Sequence, residues 1–453
     1  MKPARQPSRS PQRSAPARKT AAAAPAPARE PFNRRIGLLM LWLLVLVAPL
    51  LISPTAKESF RLIKSMVSGW LALASLFFFA WEVRKAGTIR WTDLWDRPAM
   101  RIVLPVLLVA TASYAFSAHP LHVREGLADL WIGAAALAGW SLAVETRRLE
   151  RLLLGLLIPA SLLALLGILQ FHGVYRPFQS IGIGYDPRLA ITSLAGNPGD
   201  LGGYLVLPCL IGQWAVFQRR GRVRILAAVA LALSLYAVAL TQTLAALAAV
   251  AVGSALLWAL LLPRRQAALL FGGGAALALV LALTVAPLRE RIAAKAGQAL
   301  AGDWNSVLTG RLDGWRAALW MFREHPWTGV GHGAYRPEYV PAMNELLDRG
   351  VQLYPQHIQP VFANAHNEYL EALAEWGLPA IPALAWGLWI LILALRRARG
   401  DTGQALAWAG VVALAILSLV DFPFRIALQA FPALLFLSWV LRRGDPRGWE
   451  ENA

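Results

Sequence analysis

Charge is scarce in this chain. Of its 453 residues only 15% are Asp, Glu, Lys or Arg, against about a quarter in a soluble domain. Acids are scarcer than bases, 26 against 44, for a formal net charge of +18. Cysteine is nearly absent: Cys209 stands alone, which excludes an internal disulfide framework and a Cys-based metal site. No serine-hydrolase or kinase signature occurs. The Gly-Val-Gly at 329–331 is too short for a nucleotide fingerprint and follows no strand. "HPLH" at 119–122 has i, i+3 histidines, but a proline separates them and no third ligand lies nearby. Neither a metal nor a cofactor is therefore expected.

Apolar residues take the place of charge, at 57% of the chain and a mean hydropathy of +0.48. A membrane helix needs about 20 consecutive apolar residues, and the sequence offers roughly a dozen such runs. The expected fold is all-α, a polytopic bundle of about 12 transmembrane helices in which bilayer burial replaces a conventional core. The predicted helices lie near 36–53, 63–82, 101–117, 127–145, 151–171, 199–218, 223–241, 244–262, 266–287, 377–395, 403–420 and 426–441.

Every second joint is basic: "EVRKAGTIRWTDLWDRPAMR", "ETRRLER", "QRRGRVR", "PRRQ", "RRARG" and "RRGDPRG". Positive loops stay in the cytoplasm, so both termini are expected there; in a bacterium the other joints then face the periplasm. The same bias explains the net charge, and no nucleic-acid partner is expected. The bilayer is the expected partner. Residues 1–35, rich in Pro, Ala, Arg and Ser, read as a disordered basic cytoplasmic tail. The first apolar run reads as an uncleaved helix. Residues 36–184 hold the N-terminal transmembrane helices, and 446–453 form a cytoplasmic C-terminal tail.

Three outer segments remain: 172–198, the turn "TQT" at 241–243, and about 80 residues at 288–366. A loop that long inside a bundle is usually functional. All seven histidines fall on the outer side of this topology (119, 122, 172, 325, 332, 357 and 366). Arg188 precedes a Gly-Asn-Pro-Gly turn that opens a helix, a setting in which anions bind well; an ordinary loop turn with a solvated arginine is the alternative. From Arg311, the residues Leu312, Trp315, Leu319 and Phe322 recur at helical spacing, predicting an amphipathic helix over the bundle or along the membrane surface. Arg316 lies one turn on. In "ANAHNEYLEALAEWGLPA", Asn367, Glu371 and Glu375 share one helix face and His366 stands at the helix start. Ionisable groups at the lip of a membrane helix are functional candidates, and a histidine takes a proton near neutral pH. A helix cap with solvated acids is the alternative here.

These segments resemble the O-antigen ligase and O-antigen polymerase superfamily. The likeness rests on Arg311, the "P-W-T-G-V-G" loop with Pro326, Gly329 and Gly331, and "H-N-E-Y-L-E-A-L-A-E-W-G" with His366, Leu370, Glu375 and Gly377. Arg188 before "GNPGD" resembles the family's outer loop, and "SLVDFPF" near Asp421 its closing helices. The resemblance spans about 185–440, so 185–445 is expected to be the catalytic region, with 288–366 its periplasmic loop.

The resemblance implies a GT-C-like membrane glycosyltransferase. It would move a glycan from an undecaprenyl-diphosphate carrier to an acceptor hydroxyl on the periplasmic face, without metal and with inversion. His366 would be the base, and Arg188 and Arg311 would hold the diphosphate. Arg316, Arg336, Asn367, Glu371 and Glu375 are supporting candidates. Where many relatives carry Ser-Arg, this chain has Thr243-Leu244; either that cation is lost here or another loop supplies it, with Arg316, Arg336 and Arg176 the candidates. A ligase would use lipid A–core as acceptor; a polymerase would extend the lipid-linked glycan; a related branch modifies protein hydroxyls. A transporter or flippase is the alternative of another class, but such proteins tend to carry internal repeats and midplane charges, and neither is evident here.

Overall fold

The computed structural model describes residues 30–55, 58–86, 94–175, 191–284, 286–354, 362–398 and 402–445. Most of the expected N-terminal tail, Arg176, Arg188, His357 and the expected C-terminal tail lie outside the described residues.

The chain is a polytopic helical bundle. Its elements are α1 (Phe32–Leu46), α2 (Arg61–Ala86), α3 (Pro98–Ala112), α4 (Pro120–Ala143), α5 (Thr146–Gly155), α6 (Leu157–Phe171), α7 (Pro198–Gln218), α8 (Gly221–Thr241), α9 (Leu244–Leu261), α10 (Arg264–Thr284), α11 (Ala286–Leu300), α12 (Trp304–Val307), α13 (Arg311–Glu324), α14 (Tyr335–Asp348), α15 (Glu368–Trp376), α16 (Ala380–Arg397), α17 (Gly403–Val420) and α18 (Ala427–Arg443). Ten segments among the described residues are long and apolar enough to cross a membrane, with α5 and α6 forming one of them. The other two expected spans coincide with α10 and α18.

The apolar runs become helices because a chain in hydrocarbon must satisfy its backbone internally. Their ends carry local signals. Asn197 caps α7, its side chain accepting from Gly199 N, and Pro198 follows at the first helical position. Arg84 and Lys85 close α2, Arg396 and Arg397 close α16, and Arg442 and Arg443 close α18, where cations favour the helix dipole. Ion pairs gather the basic joints at one end of the bundle. Arg34 meets Glu145 at 2.6 Å, Arg97 meets Asp445 at 2.7 Å, and Arg219 meets Glu150. The start of α1 and the end of α18 therefore share that end.

The core is built around α7 and α18. The first packs against α6, α8, α9, α17 and α18; the second packs against α2, α4, α5 and α16. Trp140, Tyr204, Phe436 and Trp439 are fully enclosed between them. A second, smaller core sits at the opposite end from the basic joints. It joins Met321, Tyr335, Tyr339 and Met343 of α13 and α14 to Val123 of α4. Burying side chains of this size stabilises by about 1.5–3 kcal/mol each, enough to fix the long loop on the bundle.

The helix expected from Arg311 is present as α13. The buried face of α13 is Asp313, Gly314, Ala317, Ala318 and Met321, while Leu319 is exposed and Leu312, Trp315 and Phe322 are only half-buried. Small residues win the inner face because the backbone before His366 approaches closely: a Cβ on Gly314 would stand 3.0 Å from the Ala365 carbonyl oxygen. The larger apolar side chains are left on the flanks.

Candidate functional site

The candidate site lies where the second core meets the bundle. His366 immediately precedes α15 and adopts a left-handed backbone, φ +54°. A non-glycine residue there costs of order 1–3 kcal/mol and persists only where its surroundings enforce it. The surroundings are specific. Asn367 caps α15 with its side-chain oxygen, accepting from Tyr369 N and Leu370 N at 3.0 Å each. Glu371, one turn into the helix, reaches back to accept from Ala365 N and Asn364 Nδ2, both at 2.8 Å. Trp315 Nε1 of α13 donates to the His366 carbonyl at 3.3 Å. The imidazole is clasped edge-on by Phe362 and Phe422, at centroid distances of 5.0 and 4.6 Å.

Around that ring the chain assembles charges from four distant segments. Asp421, at the end of α17, places Oδ1 3.8 Å from His366 Nδ1. That is ion-pair range but too long for a hydrogen bond. Asp421 Oδ1 also accepts from Phe422 N at 3.0 Å. Arg311, opening α13, is aimed by two carbonyls: Nε donates to Val420 O at 2.9 Å and Nη1 to Leu308 O at 3.2 Å. Arg61, opening α2, makes a two-pronged bond to Asp200 in the first turn of α7, Nε to Oδ2 at 2.7 Å and Nη2 to Oδ1 at 2.8 Å.

Electrostatics follow from this crowding. Burial, then the nearby Arg311 and Arg61, hold the His366 imidazole down at about 3, so the ring is neutral at ordinary pH. Burial pushes the Asp421 carboxyl up to about 6, against the pull of its backbone hydrogen bond and the two arginines. It remains ionised at pH 7. Glu368 is pushed by burial up to about 7 while its Oε1 accepts from Phe424 N at 2.9 Å, tying α15 to the segment after Asp421.

Behind the site lies a buried ion network. Arg425 Nη2 stands 2.6 Å from Glu375 Oε2 and 3.3 Å from Glu371 Oε1. Glu375 Oε2 also faces His332 Nδ1 at 2.9 Å, and its Oε1 accepts from Gly333 N at 2.8 Å. Arg425 and His332 hold Glu375 ionised, below the usual carboxylate range, although it is fully buried; burial, with the neighbouring Glu375 charge, pushes Glu371 up. The Gly-punctuated loop is laced to the same helix end: Val330 N donates to Ala374 O and Gly331 N to Glu375 O, both at 3.0 Å, and Leu378 N donates to Pro326 O at 2.7 Å. Gly329 is required there. Its φ is +65°, and a Cβ would come within 2.2 Å of the Glu375 carbonyl carbon.

The structure therefore brings His366 and Arg311 together. Arg188 is outside the described residues. Asn367 is a helix cap, and Glu371 and Glu375 are buried supports rather than solvated acids. Arg316 is engaged elsewhere, with Asp313 Oδ1 at 3.5 Å and the Gln352 carbonyl at 3.0 Å, and Arg336 is exposed on α14. Sequence reasoning passed over Arg61, Asp200, Arg425 and the pairing of Asp421 with His366. Arg61 did leave a signal: it opens an apolar run at the outer end, against the charge bias of the other joints.

An all-helical membrane bundle whose long loop carries a strained histidine beside arginines and a carboxylate defines the class: a polytopic membrane protein with a polar site at one end. Residues 229–385 match the family model described as O-antigen ligase. This stretch, about a third of the chain, includes Arg311 and His366. A search of curated proteins found no match.

Proposed function

We propose that this protein is an O-antigen ligase-like glycosyltransferase of the bacterial inner membrane, its site on the periplasmic face and both termini in the cytoplasm. It moves a glycan from an undecaprenyl-diphosphate carrier onto an acceptor hydroxyl, with lipid A–core the acceptor class. The observation that carries the reading is the convergence of His366, Arg311 and Asp421 at the end of the bundle away from the basic joints. A lipid-borne substrate needs such a place, with its tail in the bilayer and its glycan outside.

The chemistry is a single displacement. The acceptor oxygen forms a bond to the anomeric carbon, the bond from that carbon to the diphosphate oxygen breaks, and the configuration inverts. His366 takes the acceptor proton. With Nδ1 turned toward Asp421, the nitrogen that receives it is Nε2, and Asp421 stabilises the imidazolium. Arginine suits the leaving group because its planar fork matches phosphate oxygens and keeps its charge. An imidazole held near 3 is a weak base until the donor binds. A bound diphosphate offsets the positive charges of Arg311 and Arg61, and so raises the basicity of His366 in the complex that needs it.

The test is mass spectrometry of polyprenyl-linked glycans in a strain lacking the protein, complemented with wild type or His366→Ala. Long glycans accumulating on the carrier support a ligase. Single repeat units accumulating point instead to a polymerase. Unchanged glycans in the deletion strain, with no second enzyme present, overturn the transferase reading.

A further inference from the structure

The Arg61–Asp200 pair is built with more care than a salt bridge at a helix end requires. Asp200 is nearly enclosed, at 5% side-chain exposure, while the arginine it grips is 45% exposed. Both ends are anchored. Asp200 sits in the Asn197-capped first turn of α7, the most enclosed of the spanning helices, where the helix dipole favours a carboxylate. Arg61 is followed one turn later by Lys64, whose buried ammonium donates to Leu51 O at 2.6 Å, Leu194 O at 2.7 Å and Phe60 O at 3.2 Å. Those carbonyls pin the first turn of α2 to the segment that leads into α7. The guanidinium is thus held in one place by two rigid elements.

What it offers there is chemistry of a definite kind. A guanidinium has five N–H donors. The two bonds to Asp200 use Nε and one N–H of Nη2, and the side chain as a whole is half exposed. Arg61 is close enough to the imidazole and to Asp421 to act on the charge of both. Arg311 acts on the same two groups from another helix. Two fixed cations beside one neutral imidazole suit a ligand with two linked anionic groups.

We propose that Arg61 is a phosphate-binding residue of the donor site, aimed by Asp200 as its positioning residue, and that with Arg311 it holds the diphosphate of the lipid carrier. This rests on the transferase reading above and adds a helix outside the family-matched region to the site.

The test is binding of undecaprenyl diphosphate to the purified full-length protein in nanodiscs, with undecaprenol as the uncharged control. Arg61→Gln weakens undecaprenyl diphosphate binding by about tenfold to a hundredfold, the scale of a charge-assisted contact, and leaves undecaprenol unchanged. Arg61→Lys, which keeps the charge but not the fork, falls between Gln and wild type, and it serves if the Gln variant does not insert. Asp200→Asn weakens binding, and combining it with Arg61→Gln costs no more than Arg61→Gln alone; additive losses would mean that Asp200 acts only through the fold. The two readings fail differently. If wild type does not bind undecaprenyl diphosphate in preference to undecaprenol, the donor assignment itself falls. If wild type binds, Arg311→Gln loses binding and Arg61→Gln does not, the role of Arg61 alone is overturned.

Discussion

Replacing Glu375 by Gln tests whether the ion network holds the 329–333 loop in place. The substitution keeps the volume and keeps an oxygen for Gly333 N, 2.8 Å away. It places an amide NH₂ or an uncharged oxygen against Arg425 Nη2, now 2.6 Å from a carboxylate oxygen. Glu375 is 0% exposed, so water cannot replace the lost charge. Removing one partner of a buried pair costs up to about 3–5 kcal/mol, and here Glu371, 3.3 Å from Arg425, takes up part of the stranded charge. Scaled to the unfolding entropy of a chain this long, that is a fall of up to about 3–5 °C in Tm. The assay is thermal unfolding of purified protein in one detergent at one scan rate. The decisive comparison is Glu375→Leu, Arg425→Met and the double variant. If the single variants suffer because they strand a charge, the double variant unfolds at a higher temperature than either. A Glu375→Gln protein that melts with wild type, or a double variant as unstable as the sum of its parts, would refute the reasoning.

Other outcomes follow from the same geometry. His366→Ala, normally inserted, loses about 10²–10⁴-fold in transfer rate if it is the general base; wild-type transfer by that variant would remove His366 from the mechanism. In the free enzyme His366 is already neutral above about pH 3, whereas Asp421 takes a proton as the pH falls through about 6. The acidic limb of a kcat/KM profile should therefore lie near pH 6 and vanish in Asp421→Asn, at a lower plateau; a limb unchanged in that variant assigns it to another group. Gly329→Ala forces a Cβ into the Glu375 backbone at a positive φ, and membrane-inserted yield should fall by more than the few tenths of a kcal/mol of an ordinary surface change. Glu371→Gln should be milder than Glu375→Gln in the thermal assay, because burial already favours a proton on Glu371.

The bundle was legible from the sequence for a simple reason. A spanning helix announces itself by an uninterrupted apolar run, and the charge of its joints sorts the two ends. Local signals sufficed for the helix that begins at Arg311. His366 and Arg311 stood out because both lie in the loop segments that resemble a family motif. The solvated-acid alternative for Glu371 and Glu375 failed because their partners, Arg425 and the 329–333 loop, are remote in sequence. Periodicity shows which residues share a face but not what that face meets. The same limit hid the inner face of α13, where small residues take the core.

The sequence by itself determined the class of fold and the placement of its helices, since both depend on local composition and on the short-range rules of helix starts and charge bias. Only the tertiary structure decided the membership of the site. Arg61, Asp200, Arg311, His366 and Asp421 come from five segments spread over 361 positions of the chain, and nothing local links them. They meet because α2 and α7 are packed in the bundle, because α13 docks through its small residues, and because the Arg425–Glu375 pair locks α15 beneath the histidine.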